Sequence, residues 1–290
     1  MTPSARPVLE FEDVTLAFAG VTAIDGVSFQ VDPGELFAII GPNGAGKTSV
    51  FNVLSGVYRP RSGSVRFEGR ELLGVRPHRI AALGIARTFQ NVELFAHLNV
   101  VENLMLGRHH HMRCGALSAF AWLGRARREE LANRAAVEEV VDFLELAAWR
   151  RTPVGLLPYG VRKRVELGRA LAMEPKVLLL DEPVAGMNAE ETEDMARFVL
   201  DVREELGIAI VLVEHDMGLV MDLADRVLVL DFGRPISTGT PAEVQRDPAV
   251  VRAYLGEAQA QAQPQAQSRT QEQAQTRAQA PDRQSTGGAA

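Results

Sequence analysis

The stretch that most constrains this chain is Gly41–Thr48, which reads GPNGAGKT. It fits the spacing Gly, four residues, Gly, Lys, Ser/Thr, whose use is to cradle phosphates. The apolar run Leu36–Ile40 precedes it. Ser49–Ser55 (SVFNVLS) follows with helical character, and Gly56 stands where that helix can stop. The expected order is therefore strand, glycine loop, helix. Glycines let successive N–H groups turn toward an anion, and the new helix points its positive end at the same place. Lys47 supplies a charge for β- and γ-phosphates, and the Thr48 hydroxyl can ligate Mg²⁺. The candidate nucleotide-binding set here is Gly41, Pro42, Asn43, Gly44, Ala45, Gly46, Lys47, Thr48 and Ser49.

Ahead of the loop, Val8–Phe11, Val14–Phe18 and Val27–Val31 read as strands of an antiparallel sheet, punctuated by Gly20, Gly26 and Pro33-Gly34. Phe18 can stack on an adenine ring or be an ordinary core residue. After the loop, Ser64–Phe67 reads as a strand, 77–83 as a helix and Ile85–Gln90 as a strand that delivers Gln90. The amide of Gln90 can reach a metal ion or its water, or simply face solvent.

Residues 99–151 change character. Leu98, Val101, Leu104 and Met105, then Val137, Val140, Val141 and Leu144, recur at helical spacing with charges between them. This predicts a helical segment inserted between sheet elements. His109-His110-His111 lies within it, but three consecutive residues cannot share one helix face, so a solvated helix end is expected rather than a metal site. Residues 157–174 predict a turn and an amphipathic helix, with Val161, Val165, Leu167 and Leu171 inward and Arg162, Lys163, Arg164 and Arg169 outward.

Val177–Leu180 is aliphatic throughout, as expected of a strand buried on both faces of a parallel sheet, and it ends in Asp181-Glu182. Ligands of open α/β sheets bind at such carboxyl ends. Asp181 can hold a Mg²⁺ shell and Glu182 can orient or deprotonate a water. A second buried strand, Ile208–Val213, delivers His215 level with Asp181, where it can hydrogen-bond a γ-phosphate. Glu190–Leu206, Pro241–Arg246 and Ala249–Leu255 read as helices and Val227–Leu230 as a strand, followed by a turn at 231–234.

Composition narrows the class. The net charge of −6 argues against a nucleic-acid partner, which would ask for a broad basic footprint. One cysteine, Cys114, excludes an intrachain disulfide and a cysteine-rich metal site. The N-terminus has no apolar core of signal-peptide length, and the longest apolar runs are strand-sized, so any membrane role is expected to be peripheral. From Glu257 the chain is almost all Ala, Gln, Arg, Ser and Gly, so 257–290 is expected to be disordered.

Taken together, GPNGAGKT, RTFQN at 87–91, LPYG at 157, LLLDEP, AGMN at 185–188, VEHDM at 213 and AYLGE at 253 resemble the ATP-binding-cassette (ABC) transporter ATPases. Within them the chain is similar to branched-chain amino acid importer ATPases of the LivG type. The resemblance implies an α/β P-loop NTPase fold over 8–256. Its parts would be an N-terminal antiparallel β subdomain, a RecA-like core and a helical subdomain at 99–175.

It also implies roles. Phe18 would stack on adenine; Gly41–Thr48 would bind phosphate; Gln90 would sense Mg²⁺ and touch a membrane subunit. Asp181 would assist the metal, Glu182 would be the catalytic base and His215 the switch histidine. Leu157, Pro158, Tyr159, Gly160 and Val161 would be the signature turn that completes the ATP site of a partner ATPase. The implied partners are a second ATPase in a head-to-tail heterodimer, two transmembrane permeases and, indirectly, an extracytoplasmic solute-binding protein. The implied location is the cytoplasmic face of the membrane.

The signature departs from the common Leu-Ser-Gly-Gly-Gln at Pro158, Tyr159 and Val161. Pro158 has neither a hydroxyl nor an N–H, yet proline suits a helix start. An asymmetric pair of sites is the expectation, the one using this chain's Leu157–Val161 turn being slower. Asn188 in place of the usual Asp is a milder departure. Urea or lipopolysaccharide transport ATPases, and ABC ATPases outside transport, are the alternative readings. ABC ATPases outside transport generally carry two cassettes or long coiled coils, and this sequence shows one cassette and neither extra.

Overall fold

The computed structural model describes residues 6–88, 93–111 and 125–254. Its strands are β1 (Leu9–Phe18), β2 (Val21–Val31), β3 (Leu36–Ile40), β4 (Ser62–Phe67), β5 (Arg70–Glu71), β6 (Ile85–Arg87), β7 (Val177–Asp181), β8 (Ala209–Val213), β9 (Arg226–Asp231) and β10 (Arg234–Gly239). The helices, numbered here in chain order, are α1 (Lys47–Leu54), α2 (Pro77–Leu83), α3 (Val100–Gly107), α4 (Arg125–Phe143), α5 (Tyr159–Leu171), α6 (Ala189–Leu206), α7 (Met217–Leu223), α8 (Pro241–Arg246) and α9 (248–254).

Two sheets organise these elements. β2-β1-β4-β5 form an antiparallel sheet, and β10-β9-β3-β8-β7-β6 form a second sheet that is parallel except for its β9–β10 edge. The alternation within β3 shows how one short strand serves two cores. Leu36, Ala38 and Ile40 face the helical side with Val100, Leu104 and Val165, whereas Phe37 and Ile39 face the antiparallel sheet. On that second side Phe11, Phe29 and Phe37 stack in sequence at 4.9 and 5.1 Å, joining the sheets through aromatic contact.

Several expectations need correction. Val8–Phe11 and Val14–Phe18 are one strand, not two: the step between them is absorbed by a register shift with Asp13 at φ 45°. β6 stops at Arg87, and Gln90, Cys114 and 257–290 lie outside the described residues. β10 follows the turn at 231–234 as a strand that the sequence reading leaves unassigned. Its polar sequence, RPISTG, and its place at a sheet edge leave little apolar alternation to read. Lys163 is not on a wet face of α5. It is 3% exposed beside Glu166 at 2%, with 3.9 Å between their charged groups. The Lys163 charge acts on the Asp181 carboxylate, so it is turned inward toward the end of β7 rather than toward solvent. His109 is exposed at a 3₁₀ turn spanning Arg108–His111.

Candidate active site

Gly41–Thr48 connects the end of β3 to the start of α1. Two of its glycines have no room for a side chain. A Cβ on Gly41, at φ +147°, would meet the Leu230 carbonyl oxygen at 2.1 Å; one on Gly46, at φ +101°, would meet the Ala23 carbonyl oxygen at 2.5 Å. Gly44, at φ +81°, has open space where its Cβ would be. The loop is thus pressed between β9 and β2 on one side and open on the other. Gly46 caps α1 without a side-chain acceptor, which leaves the first-turn N–H groups pointing out as an anion site needs. Lys47 is 7% exposed, and its Nζ donates to Gly41 O at 2.5 Å and Pro42 O at 3.1 Å. Thr48 is exposed and Ser49 half-buried beside it.

The order β3-β8-β7 sets the other groups at the same sheet edge. Asp181 closes β7 and pairs in register with Val213, two residues before His215. Glu182 follows at φ 48°, a conformation uncommon for a non-glycine residue, and its N–H bonds Val213 O at 2.9 Å. Its carbonyl accepts from Ala185 N at 3.2 Å, so the turn is held at both ends while the side chain stays half-buried. Asp181 is 3% exposed and pairs with Arg87 at 2.8 Å. Burial lifts the Asp181 carboxyl above the usual range, and the Arg87 hydrogen bond and charge pull it back only in part. The oxygen donors Thr48 and Asp181 suit a small hard cation such as Mg²⁺, which keeps several waters and takes few protein ligands.

Phe18 ends β1 at the hairpin whose second strand brings Ala23 onto Gly46. It is 43% exposed and meets Tyr58 edge-on at 4.9 Å. Tyr58, 37% exposed, was not singled out in the sequence because it sits among turn residues, and it makes the second wall of this aromatic ledge. Pro158 is the N-cap of α5, so the helix starts where the turn needs it. Within the turn Leu157–Val161, Tyr159 bonds Ala185 in the loop after Glu182 and Gly160 bonds Glu191 in the first turn of α6. Asn188 caps α6 by accepting from Glu191 N at 3.0 Å, a task that Asn performs as well as Asp.

Residues 24–185 match the family described as ABC transporter, and 234–260 match the family described as branched-chain amino acid ATP-binding cassette transporter. The chain belongs to the ABC transporter ATP-binding family. This cassette is 40% identical over 257 residues to the high-affinity branched-chain amino acid transport ATP-binding protein BraF of Pseudomonas aeruginosa. The match covers 88% of this chain and all of BraF. Its identity to the corresponding LivG of Escherichia coli is 38% over the same shares. The solved ADP conformation of an ABC transporter cassette superposes with a TM-score of 0.76 at 31% identity, covering 87% of this chain and all of that one. The ABC ATPase fold is therefore the fold of this cassette.

Glu214 is the group in this cassette that the sequence named without a role. It is fully buried. Its Oε1 accepts from Val184 N at 3.3 Å and its Oε2 from His215 N at 3.0 Å. It therefore links the segment after Glu182 to the exposed His215, whose Nδ1 lies 3.5 Å from the same carboxylate. A carboxylate wedged between an aliphatic strand and a histidine was the available signal.

Burial raises the Glu214 pKa above its ordinary 4.5. A raised folded pKa gives stability that is complete below the unfolded value and lost as pH rises through the folded one. The Glu214→Gln chain does not titrate there. Its stability relative to the native chain is therefore expected to improve as pH rises above 4.5 and to level off once the folded-state carboxyl has ionised, measured by urea unfolding at each pH. A pH-independent difference would show that Glu214 keeps an ordinary pKa.

Proposed function

We propose that this chain is the ATP-hydrolysing motor subunit of an importer for branched-chain amino acids. The observation that carries the reading is the gathering of Lys47, Asp181, Glu182 and His215 at the carboxyl edge of β3, β8 and β7, around a loop in which Gly41 and Gly46 have no room for a side chain. In this reading Gly41–Ser49 and Lys47 bind the phosphates, and Phe18 with Tyr58 holds the base. Thr48, Asp181 and Gln90 serve Mg²⁺, Glu182 activates the attacking water, and His215 holds the γ-phosphate. The metal would neutralise developing phosphate charge; positioning of the water falls to Glu182, whose backbone is pinned on both sides. The similarity of 234–260 and of the full cassette to branched-chain amino acid transport proteins supports the substrate class.

A groove of ≈ 600 Å³ supports a membrane-subunit partner. It lies between Arg87 at the end of β6, α3 and α5, and is lined by Arg87, Glu93, Phe95, Leu106, Arg169 and Met173. Phe95 is 60% and Leu106 42% exposed. This suits a short amphipathic helix of a permease laid into an apolar slot whose rim carries both signs of charge, Arg169 and Glu93. No helix among the described residues is long and apolar enough to cross a membrane, so the permease would supply the spans. A second ATPase, head to tail, would offer its own signature turn to Lys47 and receive Leu157–Val161 in return. Pro158 withholds a hydroxyl there, which supports a heterodimer with one slower site.

The test is uptake by proteoliposomes holding this chain, its partner ATPase and two permeases, with the cognate binding protein outside and ATP inside. Labelled leucine, isoleucine or valine should accumulate only with ATP, and excess unlabelled branched-chain amino acid should block it. Uptake of urea in their place would overturn the substrate class, and accumulation without ATP would overturn the motor role.

A further inference from the structure

The loop after Glu182 and the first turn of α6 that follows it are each fastened to the start of α5. Tyr159 Oη donates to Ala185 O at 3.0 Å, and the ring lies against Gly186, where an added Cβ would come within 3.4 Å of it. Gly160 N donates to Glu191 Oε1 at 3.1 Å, while Oε2 of the same carboxylate accepts from Asn188 N at 3.1 Å. Glu191 thus closes the N-terminus of α6 and holds the first turn of α5 at once. The other side of the loop is fixed by Glu214, through Val184 N and His215 N. Hydrogen bonds and the short backbone step from Val184 to Ala185 therefore run without a break from His215 to Tyr159. Burial also raises the Tyr159 pKa, so the hydroxyl remains a donor at any physiological pH.

We propose that Tyr159 and Glu191 are positioning residues that tie the Leu157–Val161 turn to the loop carrying Glu182, so that a change at one ATP site is passed through this chain to the other. The proposal rests on the reading above, in which Glu182 serves this chain's own nucleotide and the turn serves the partner's. Its physical content is a rigid link between two elements that each meet a different γ-phosphate. Tyr159 stands where the common signature has glycine, and glycine has no hydroxyl to reach Ala185. The tie therefore belongs to chains with this departure. One bond alone would leave the loop free to pivot, so both are needed to fix its orientation.

The experiment compares the native, Tyr159→Phe, Glu191→Gln, doubly substituted and Glu182→Gln chains, each in the full complex with partner ATPase and permeases. ATPase kcat, KM and Tm are read for each. Each single substitution at 159 or 191 is expected to lower kcat about threefold to tenfold, the range one lost hydrogen bond supports, with KM within about twofold and Tm unmoved. The double variant should be no slower than the slower single variant, because both cut one tie. Native kcat in Tyr159→Phe, losses that multiply in the double variant, or losses that track a falling Tm would each overturn the tie. Native turnover in Glu182→Gln would instead overturn the underlying site assignment; collapse there with an unaffected Tyr159→Phe would overturn the tie alone.

Discussion

Replacing Glu182 with Gln is expected to lower ATP turnover of the assembled complex by about 10²–10⁴-fold, the range a positioned general base contributes. Nucleotide affinity should stay near that of the native chain. The substitution keeps size and hydrogen-bonding reach and removes only basicity. The backbone around it has no reason to move. Its N–H remains bonded to Val213 O and its carbonyl to Ala185 N, and Gln meets φ 48° at no greater strain than Glu. On the proposed assignment the phosphate contacts come from Gly41–Thr48 and Lys47, between β3 and the first turn of α1, and are untouched. The measurement is steady-state phosphate release beside equilibrium nucleotide binding. The matched change in the partner ATPase gives a second result. With Pro158 in this chain's turn, the site built on Lys47 and Glu182 should carry most of the turnover, so the partner's change should cost far less. Equal losses would remove the asymmetry, and an active Glu182→Gln complex would remove Glu182 as the base.

The legible part of this molecule is the part with a one-dimensional signature. Leu178–Leu180 and Ile210–Val213 are buried on both faces, so they read as continuous aliphatic runs, and the residues ending them read as site residues. GPNGAGKT is legible because two of its glycines, Gly41 and Gly46, are imposed by neighbouring backbone, the Leu230 and Ala23 carbonyls. The illegible part is made by contacts between distant residues. Periodicity put Lys163 on the charged face of its helix, but periodicity is silent on the buried carboxylates, Glu166 and Asp181, that its charge meets there. Nothing near Arg87 in sequence names Asp181, 94 residues away, and nothing near Tyr159 names Ala185. Glu214 was in plain view, but its role depends on two N–H groups that converge only when β8 and the Glu182 turn lie side by side. The tips of the site were read by residue type and its internal wiring was not.

That wiring gives the second large effect, at Arg87. Its Nη2 lies 2.8 Å from Asp181 Oδ2, with the two side chains 10% and 3% exposed. Its Nη1 donates to Asn52 Oδ1 at 2.7 Å and Ser55 Oγ at 3.1 Å, and the guanidinium stands over the Phe51 ring at 5.5 Å. One side chain therefore holds α1, which follows the phosphate loop, against the end of β7. Arg87→Met keeps the apolar stem and strands the carboxylate, so a loss of about 3–5 kcal/mol in unfolding free energy is expected. Arg87→Lys should fall between, because an ammonium restores charge but not the fork that reaches Asn52 and Asp181 together. Arg87 also lines the groove proposed for the permease, so a helix pressing there bears on the residue that holds Asp181. On the proposed assignment of Asp181, Mg²⁺ brought in with nucleotide supplies the positive charge that Met withholds. The stabilisation added by magnesium-nucleotide should then be larger in Arg87→Met than in the native chain, read by urea unfolding with and without it. An Arg87→Met chain within about 1 kcal/mol of native, gaining no more from magnesium-nucleotide, would mean that Asp181 does not rest on this pair for its charge, and the metal role assigned to it would fall with that result.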